Sequence, residues 1–400
     1  MTGRERIMTA LNGGIPDRVP ATPDMSIMIP TRLTGKPSYR VEYYNDPDLT
    51  TAYINAAKYF GIDGWMFNGT IKYKKDTSSY FTNKIISSNE KRIEVLTTFH
   101  TEDGDLDQVT IYPHDNPGTV VKKYSKDLKQ DFKIIRHLYD PVIGYDDSFY
   151  LEQKKMMGEA GMICCGVDTP GLHVFFGWMG YEDLIDSYYE YPDEIEEITH
   201  LCHKNAIRQM EMCADAGVES ILTGGSGSIT LQSPEIFRKL SLPTIKAVTK
   251  LAKEAGILSG IHSCGKEYAL VEACANETDL NYVNPLEIAP LGDCDIADVK
   301  KKFGKKLALM GNLHTSKVML GHIDRVRLEA LRLIRDCAEG GGYVLSSGDQ
   351  CGRDTPEENI FELVKISKEF GVYPIDYDKI NEEIARLEKL PEATGLKRKK

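Results

Sequence analysis

The sequence predicts an α/β protein of the (β/α)8 TIM-barrel class, with an antiparallel β insertion near the N-terminal third. Short apolar segments alternate with amphipathic helical segments, which indicates βαβ units and parallel strand pairing. Eight such strands are predicted, and eight units favour a barrel, although a doubly wound sheet stays open as an alternative. The predicted strands are residues 19–23, 64–67, 161–167, 219–223, 257–263, 280–284, 306–311 and 343–347.

Helix boundary signals support the alternation of strands and helices. Ser233 and Thr355 are each followed by proline, as expected of an N-cap residue with proline at the first helical position. Thr355 and Glu358 also have the spacing of a capping box. A long helix is predicted after Pro192, with Gly217 as its stop signal.

One region departs from this rhythm, because residues 84–124 alternate between apolar and polar side chains. Turn residues at 88–90 and at Asp103-Gly104 divide the region into two to four antiparallel strands. We therefore predict one barrel domain over residues 1–390, with a β-hairpin insertion at about 80–125, and a flexible basic tail over 391–400. The insertion could cover the mouth of the barrel, contact a partner, or have no function.

Composition restricts the class of protein. The chain has 400 residues, 41% of them hydrophobic, and a formal net charge of -11, which argues against nucleic acid as a partner. No apolar run reaches 18 residues, and the charged N-terminal segment lacks an apolar signal core, so we expect no membrane span and a cytoplasmic location. The nine cysteines are therefore expected to be free thiols, some of them metal ligands.

The main chemical motif is His262-Ser263-Cys264, at the end of a predicted strand. Residues two apart on a strand point to the same side, so His262 and Cys264 could hold one metal ion together. In a barrel the loops after the strands meet at one rim, which brings Cys351 to the same place. Two thiolates and one imidazole are a known zinc set. Glu287 is the candidate for the fourth position and for a catalytic role; otherwise it is a surface carboxylate.

Other predicted rim residues complete the candidate site. Asn312 could donate a hydrogen bond to the substrate or serve only as a turn residue. Asp168 is a rim carboxylate and a catalytic candidate of undetermined role. Asp349 could orient the histidine or cap a helix. The glycine pair Gly224-Gly225 follows a strand and is predicted to let a bulky ligand or cofactor approach the backbone.

These motifs resemble the uroporphyrinogen decarboxylase superfamily, over roughly residues 3–373. The resemblance rests on Arg4-Glu5-Arg6, Asp17-Arg18-Val19-Pro20, Ser233-Pro234-Glu235, His262-Ser263-Cys264-Gly265, Asn284-Pro285-Leu286-Glu287, Gly311-Asn312 and Thr355-Pro356-Glu357-Glu358-Asn359. It implies a (β/α)8 barrel. Decarboxylases of the family resemble one another in an early arginine-rich stretch, and here residues 22–30 contain no arginine. The chain also departs from many relatives at residues 223–226, where it lacks an acidic pair, which suggests a different substrate.

The corrinoid-dependent methyltransferase branch carries zinc on His-x-Cys and a distant cysteine, and His262, Cys264 and Cys351 match that pattern. The resemblance thus implies an enzyme that moves a methyl group between a small substrate, foremost a methoxylated aromatic ether (an O-demethylase), and a corrinoid (cobalamin) carried by a partner protein. Alternatives are a methylcobamide:thiol methyltransferase, a uroporphyrinogen decarboxylase-like lyase and a non-catalytic binding protein. A homodimer is left open.

Overall fold

The computed structural model describes residues 1–394 and has a parallel sheet at its centre. Its strands, in chain order, are β1 Gly64–Gly69, β2 Lys72–Lys75, β3 Tyr80–Asn89, β4 Arg92–Thr101, β5 Gly104–Pro113, β6 Thr119–Lys122, β7 Val142–Asp146, β8 Gly161–Gly166, β9 Ser220–Thr223, β10 Leu258–His262, β11 Tyr282–Asn284, β12 Ala308–Leu313 and β13 Tyr343–Ser347. Seven of them form the central sheet, in the order β1-β8-β9-β10-β11-β12-β13. All six of its strand pairs are parallel. The predicted TIM-barrel-like α/β fold is confirmed.

The eighth predicted strand, residues 19–23, is not formed as a strand. The segment makes one parallel bridge, from Ala21 to Leu345 in β13. On its other side Asp63, just before β1, donates its backbone N–H to the carbonyl of Ala21 at 3.0 Å. Pro20 and Pro23 lack the N–H groups that a continuous ladder needs. The segment therefore lies between β13 and β1 with little pairing.

Helices connect the strands and pack against the sheet. Their bounds are α1 Gly3–Leu11, α2 Met28–Leu33, α3 Ser38–Glu42, α4 Leu49–Phe60, α5 Leu128–Ile135, α6 Ser148–Met157, α7 Leu172–Phe175, α8 Tyr181–Glu190, α9 Pro192–Asp215, α10 Pro234–Leu240, α11 Leu242–Glu254, α12 Tyr268–Glu277, α13 Ile296–Phe303, α14 Ile323–Cys337, α15 Glu357–Phe370, α16 Tyr377–Leu387 and α17 Pro391–Thr394. Short 3-10 turns lie at Arg136–Tyr139 and Gly158–Ala160, and a π-helical turn at Thr315–Met319. Within the described residues, no helix is both long and apolar enough to span a bilayer.

The core has an inner and an outer layer, because side chains alternate across each strand. Cys164 and Cys165, adjacent in β8, belong to different apolar clusters, Cys164 with Trp65 and Tyr282 inside the curled sheet and Cys165 among the outer residues. Gly260 makes room for the inner layer, since a Cβ there would lie 2.1 Å from the ring of Tyr282. All nine cysteines are free, as predicted.

The helix signals are confirmed in part. Ser233 caps α10 by accepting from the Ile236 N–H at 3.2 Å, and α9 ends before Gly217, which has a φ of +66°. The cap predicted at Thr355 is wrong by one residue. The helix α15 begins at Glu357 with Pro356 at its cap, and the Thr355 hydroxyl has no hydrogen-bond partner in the described chain.

The predicted tail also begins later than expected. Residues 391–394 form α17, which buries Ala393 to 1% exposure. The remainder of the predicted flexible tail, residues 395–400, lies outside the described residues.

The predicted insertion is an antiparallel sheet of four strands, in the order β3-β4-β5-β6. It contacts loops that follow the barrel strands. Gln108 in β5 donates to the carbonyl of Gly177 at 3.1 Å, Ser38 donates its N–H to the carbonyl of His114, and Arg353 donates to the carbonyl of Asp115 at 3.2 Å. The insertion therefore lies against the rim where those strands end.

An ion cluster joins the last long helices and predicts a pH dependence of stability. Arg327 of α14 donates to Glu383 of α16 at 2.7 Å and to Glu369 of α15 at 3.2 Å, and Arg386 also donates to Glu383. Hydrogen bonds from Arg386 and Arg327, opposed by partial burial, lower the pKa of Glu383 from 4.5 to about 2. This carboxylate therefore stabilises the fold fully above pH 4.5, and the contribution is lost as the pH falls towards 2.

We expect Glu383→Gln to lower the free energy of unfolding at pH 7 by about 1–2 kcal/mol, and to lower it much less at pH 3. Urea unfolding of both proteins at the two pH values measures this. Glu382→Gln, at the exposed neighbouring position, is the control. An equal loss at both pH values would contradict the charge-based explanation.

Candidate metal centre

A pocket of about 520 Å³ opens at the carboxyl-terminal ends of the central strands. Its walls come from the ends of β1, β8, β9 and β10 and from the segments after residue 23 and after β13. The lining residues are Ser26, Ile27, Phe67, Gly166, Val167, Asp168, Thr169, Val174, Leu222, Gly224, Gly225, Ser226, His262, Asp349 and Gln350. This end of a parallel barrel is where active sites form, because the loops from several strands meet there. The pocket is therefore the candidate functional site.

Three potential metal-binding side chains meet at this pocket. His262 ends β10, and its Nε2 lies 3.1 Å from Sγ of Cys264. One carboxylate oxygen of Asp349, in the loop after β13, completes a group whose donor atoms all lie within 4.8 Å of one another. All three residues are partly buried. An imidazole, a thiol and a carboxylate at these separations fit a divalent transition metal such as zinc.

Two further predicted ligands, Cys351 and Glu287, lie outside that group. Cys351 is fully buried and its backbone N–H donates to the carbonyl of Asp24 at 2.7 Å. Glu287 is 5% exposed and accepts a hydrogen bond from the backbone N–H of Gly265. The carboxylate of Glu287 therefore fixes the turn that follows Cys264. Asp349, predicted to orient the histidine or cap a helix, stands where a third donor was expected.

Asn284 controls the imidazole of His262. Its Nδ2 lies 3.2 Å from His262 Nδ1, while its buried Oδ1 has no partner in the described chain. With the amide turned over, Oδ1 accepts from Nδ1–H, both groups are satisfied, and Nε2 keeps its lone pair for a metal. The ring of Phe67 stacks on the imidazole, with 6.2 Å between centroids. Orientation and tautomer of His262 are thus set by its neighbours.

The thiols of this region need a cation to ionise. Burial and the nearby Asp349 carboxylate raise the pKa of the Cys264 thiol, although a bond to Ser226 opposes this. Burial raises the pKa of Cys351 to about 12. A divalent cation stabilises the thiolate form of such groups.

Asp24 is a further candidate residue beside the His262, Cys264 and Asp349 group, and the sequence did not single it out. It is 2% exposed, and its Oδ2 has no partner among the described residues. Burial raises its pKa; His262 lowers it and Asp349 raises it again, so Asp24 lies within electrostatic range of both. An orphaned buried carboxylate oxygen is expected beside a cation. Its position directly after the first predicted strand was the available signal.

The remaining predicted residues divide into two sets. Asp168, Gly224 and Gly225 line the pocket. Asn312 does not: its amide is buried and donates to the carbonyls of Leu286 and Cys294, at 2.7 and 3.3 Å. Asn312 therefore holds the loop after β11. Its amide N–H groups bond to these carbonyls and are not available to a substrate in this pocket.

Comparison with known proteins finds matches in sequence and in fold. Residues 174–370 match the sequence model of the family described as Uroporphyrinogen decarboxylase (URO-D). That range contains His262, Cys264 and Cys351. A 65-residue stretch is 34% identical to the Uroporphyrinogen decarboxylase of Actinobacillus pleuropneumoniae serotype 5b (strain L20), and equally to that of serotype 7 (strain AP76). It covers 16% of this chain and 18% of each relative.

A solved structure shares the fold over most of the chain. It is a methyltransferase from Methanosarcina mazei, 17% identical, with a TM-score of 0.61. The alignment covers 92% of this chain and 99% of that one. At this identity the likeness concerns the fold.

Proposed function

We propose a function that starts from the match of residues 174–370 to the uroporphyrinogen decarboxylase family model. The protein is a zinc-dependent methyltransferase that moves a methyl group between a small substrate and a corrinoid carried by a partner protein. The observation that carries the proposal is the pair His262 and Cys264, 3.1 Å apart at the pocket. Zinc bound there would supply a Lewis acid for the heteroatom that carries the methyl group.

Each residue of the proposed site would have a separate role. His262 and Cys264 hold the metal, Asn284 orients the imidazole, and Glu287 holds the turn after Cys264. Gly224 and Gly225, which line the pocket without side chains, let a substrate approach the backbone closely. The open side of the pocket would face the partner's corrinoid.

A decarboxylase function is disfavoured by charge. A porphyrinogen carries several carboxylates, and no lysine or arginine stands among the described residues that line the pocket. Residues 22–30 also contain no arginine. Anionic substituents would therefore lack the cations that recognise them.

A methoxylated aromatic ether is the proposed substrate. A pocket of about 520 Å³ is in the range that holds a single ring with small substituents. Phe67, Val167, Val174 and Leu222 supply apolar walls, and the other lining residues include the polar groups of Asp168, Thr169, Ser226, His262 and Asp349. The fold shared with a methyltransferase from Methanosarcina mazei supports the reaction class, methyl transfer, and the apolar walls support the aromatic ring.

Cys351 is proposed as the third zinc ligand. Zinc prefers thiolate to carboxylate, and Cys351 lies two residues from Asp349 on the same loop. We expect Cys351→Ser to purify with less than about half the zinc of the wild type, and Asp349→Asn to keep most of it. Metal analysis of the purified proteins measures this. The opposite ranking would make Asp349 the third ligand.

Methyl transfer to free cobalamin tests the function directly. Zinc-loaded protein is mixed with 2-methoxyphenol and cobalamin reduced by titanium(III) citrate, and the demethylated phenol is measured by chromatography. We expect turnover that depends on zinc. A parallel reaction with methylcobalamin and 2-mercaptoethanol measures transfer to a thiol. Turnover in that reaction alone would favour a thiol methyltransferase, and turnover in neither would contradict the proposal.

A further inference from the structure

A carboxylate is fixed in the pocket on the wall formed by the end of β8. Asp168 follows β8 and lines the pocket. The amide of Gln209, on α9 and 5% exposed, donates to Asp168 Oδ2 at 2.8 Å and accepts from the backbone N–H of Asp168 at 2.9 Å. One buried side chain thus holds both the backbone and the carboxylate of Asp168. Among the described residues, none donates a hydrogen bond to the second carboxylate oxygen, Oδ1.

The charge of Asp168 is not balanced within the pocket. With Cys264 and Cys351 as thiolate ligands, the charge of a zinc ion would be cancelled. The carboxylates of Asp168 and Asp349 would then leave a net negative charge in a cavity whose described lining contains no lysine or arginine. Lys75 is in electrostatic range of Asp168, but it donates to the carbonyl of Leu138 and does not line the pocket.

A carboxylate in a partly buried pocket repels anions and accepts hydrogen bonds from donors. Its free oxygen would be left unpaired beside a substrate without a donor, which costs binding energy. The apolar walls fit an aromatic ring, so the matching donor is a hydroxyl on that ring.

We propose that Asp168 selects methoxyarenes that carry a phenolic hydroxyl and no carboxylate, by accepting a hydrogen bond from that hydroxyl. This inference rests on the proposed function and names the substrate class of the same site. Asp168 is a specificity-determining residue and takes no part in metal binding, so its replacement leaves the zinc content unchanged.

Three ligands separate the contributions of charge and hydrogen bonding. The compound 4-hydroxy-3-methoxybenzoate differs from 2-methoxyphenol by a carboxylate, and methoxybenzene differs from it by the hydroxyl. Binding of each to zinc-loaded protein is measured by calorimetry, and kcat/KM with reduced cobalamin in parallel. We expect the wild type to prefer 2-methoxyphenol to both others by about tenfold or more, and Asp168→Asn to reduce the preference over the benzoate about tenfold.

The control is Asp186→Asn, which removes an exposed carboxylate on α8 outside the pocket and is expected to leave the ligand ranking unchanged. Calorimetry measures the preference in ligand binding and does not require turnover. Selective binding with no methyl transfer would therefore contradict the proposed function while supporting the role of Asp168. Equal binding of all three ligands by the wild type, or an undiminished preference of Asp168→Asn for 2-methoxyphenol over the benzoate, would overturn that role, whether or not the protein transfers methyl groups.

Discussion

Cys264→Ala is expected to purify without zinc and to lose methyl transfer by about 100-fold or more. Cys264 lies 3.1 Å from the imidazole of His262 and within 4.8 Å of the Asp349 carboxylate, so its sulfur is central to the donor group that the described residues form at the pocket. Removing it leaves one imidazole with a single further anion, too few ligands to hold zinc tightly. Metal analysis of the purified protein and initial rates with reduced cobalamin measure the two effects.

Cys274→Ala is the matched control, because Cys274 is a fully buried thiol on α12 with no place in the donor group. Both variants should retain wild-type circular dichroism. If Cys264→Ala kept its full zinc content, the His262–Cys264 pair would not be the metal site.

Asp63→Ala is expected to lower the free energy of unfolding by about 3–5 kcal/mol. Asp63 is 2% exposed and accepts hydrogen bonds from Arg6 and Arg18, which are also buried. It also accepts from the backbone N–H of Ala21 at 3.0 Å. Its removal leaves two guanidinium groups short of a counter-charge and weakens the junction between the 19–23 segment and β1.

Thermal and urea unfolding measure this loss, with a fall in Tm of roughly 5 °C or more expected. Asp76→Ala removes an exposed aspartate and serves as the control. A change below about 1 kcal/mol would show that the two arginines find other partners. Zinc content of the folded variant should be normal, since Asp63 lies at the opposite ends of the strands from the pocket.

The strands of the central sheet were the most predictable part of the structure. Seven predicted strands agree with β1, β8, β9, β10, β11, β12 and β13 to within a few residues. Strands buried on both faces are short continuous apolar runs, which a sequence displays directly. The first strand failed because its prolines break the ladder, and the Thr355 cap failed because the helix begins after Pro356.

The candidate site could be predicted only for those residues that belong to a sequence motif. His262 ends β10 and Cys264 lies two residues later in the same short segment, so local geometry brings them together. Asp24, Asn284 and Asp349 depend on how distant loops pack, which no local pattern encodes. Asn312 was predicted to contact the substrate, but its amide donates to two backbone carbonyls instead.

The candidate metal ligands lie on two separately anchored segments. His262 ends the central strand β10 and Cys264 lies two residues later, whereas Asp349 and Cys351 belong to the loop after β13, which α2 and the insertion hold at its far end. Arg32 of α2 donates to the carbonyls of Arg353 and Thr355, and Arg353 reaches the carbonyl of Asp115 in the insertion. Shortening the insertion is therefore expected to loosen the loop that carries Asp349 and Cys351, while His262 and Cys264 keep their positions. Metal affinity could then change without any change in the barrel.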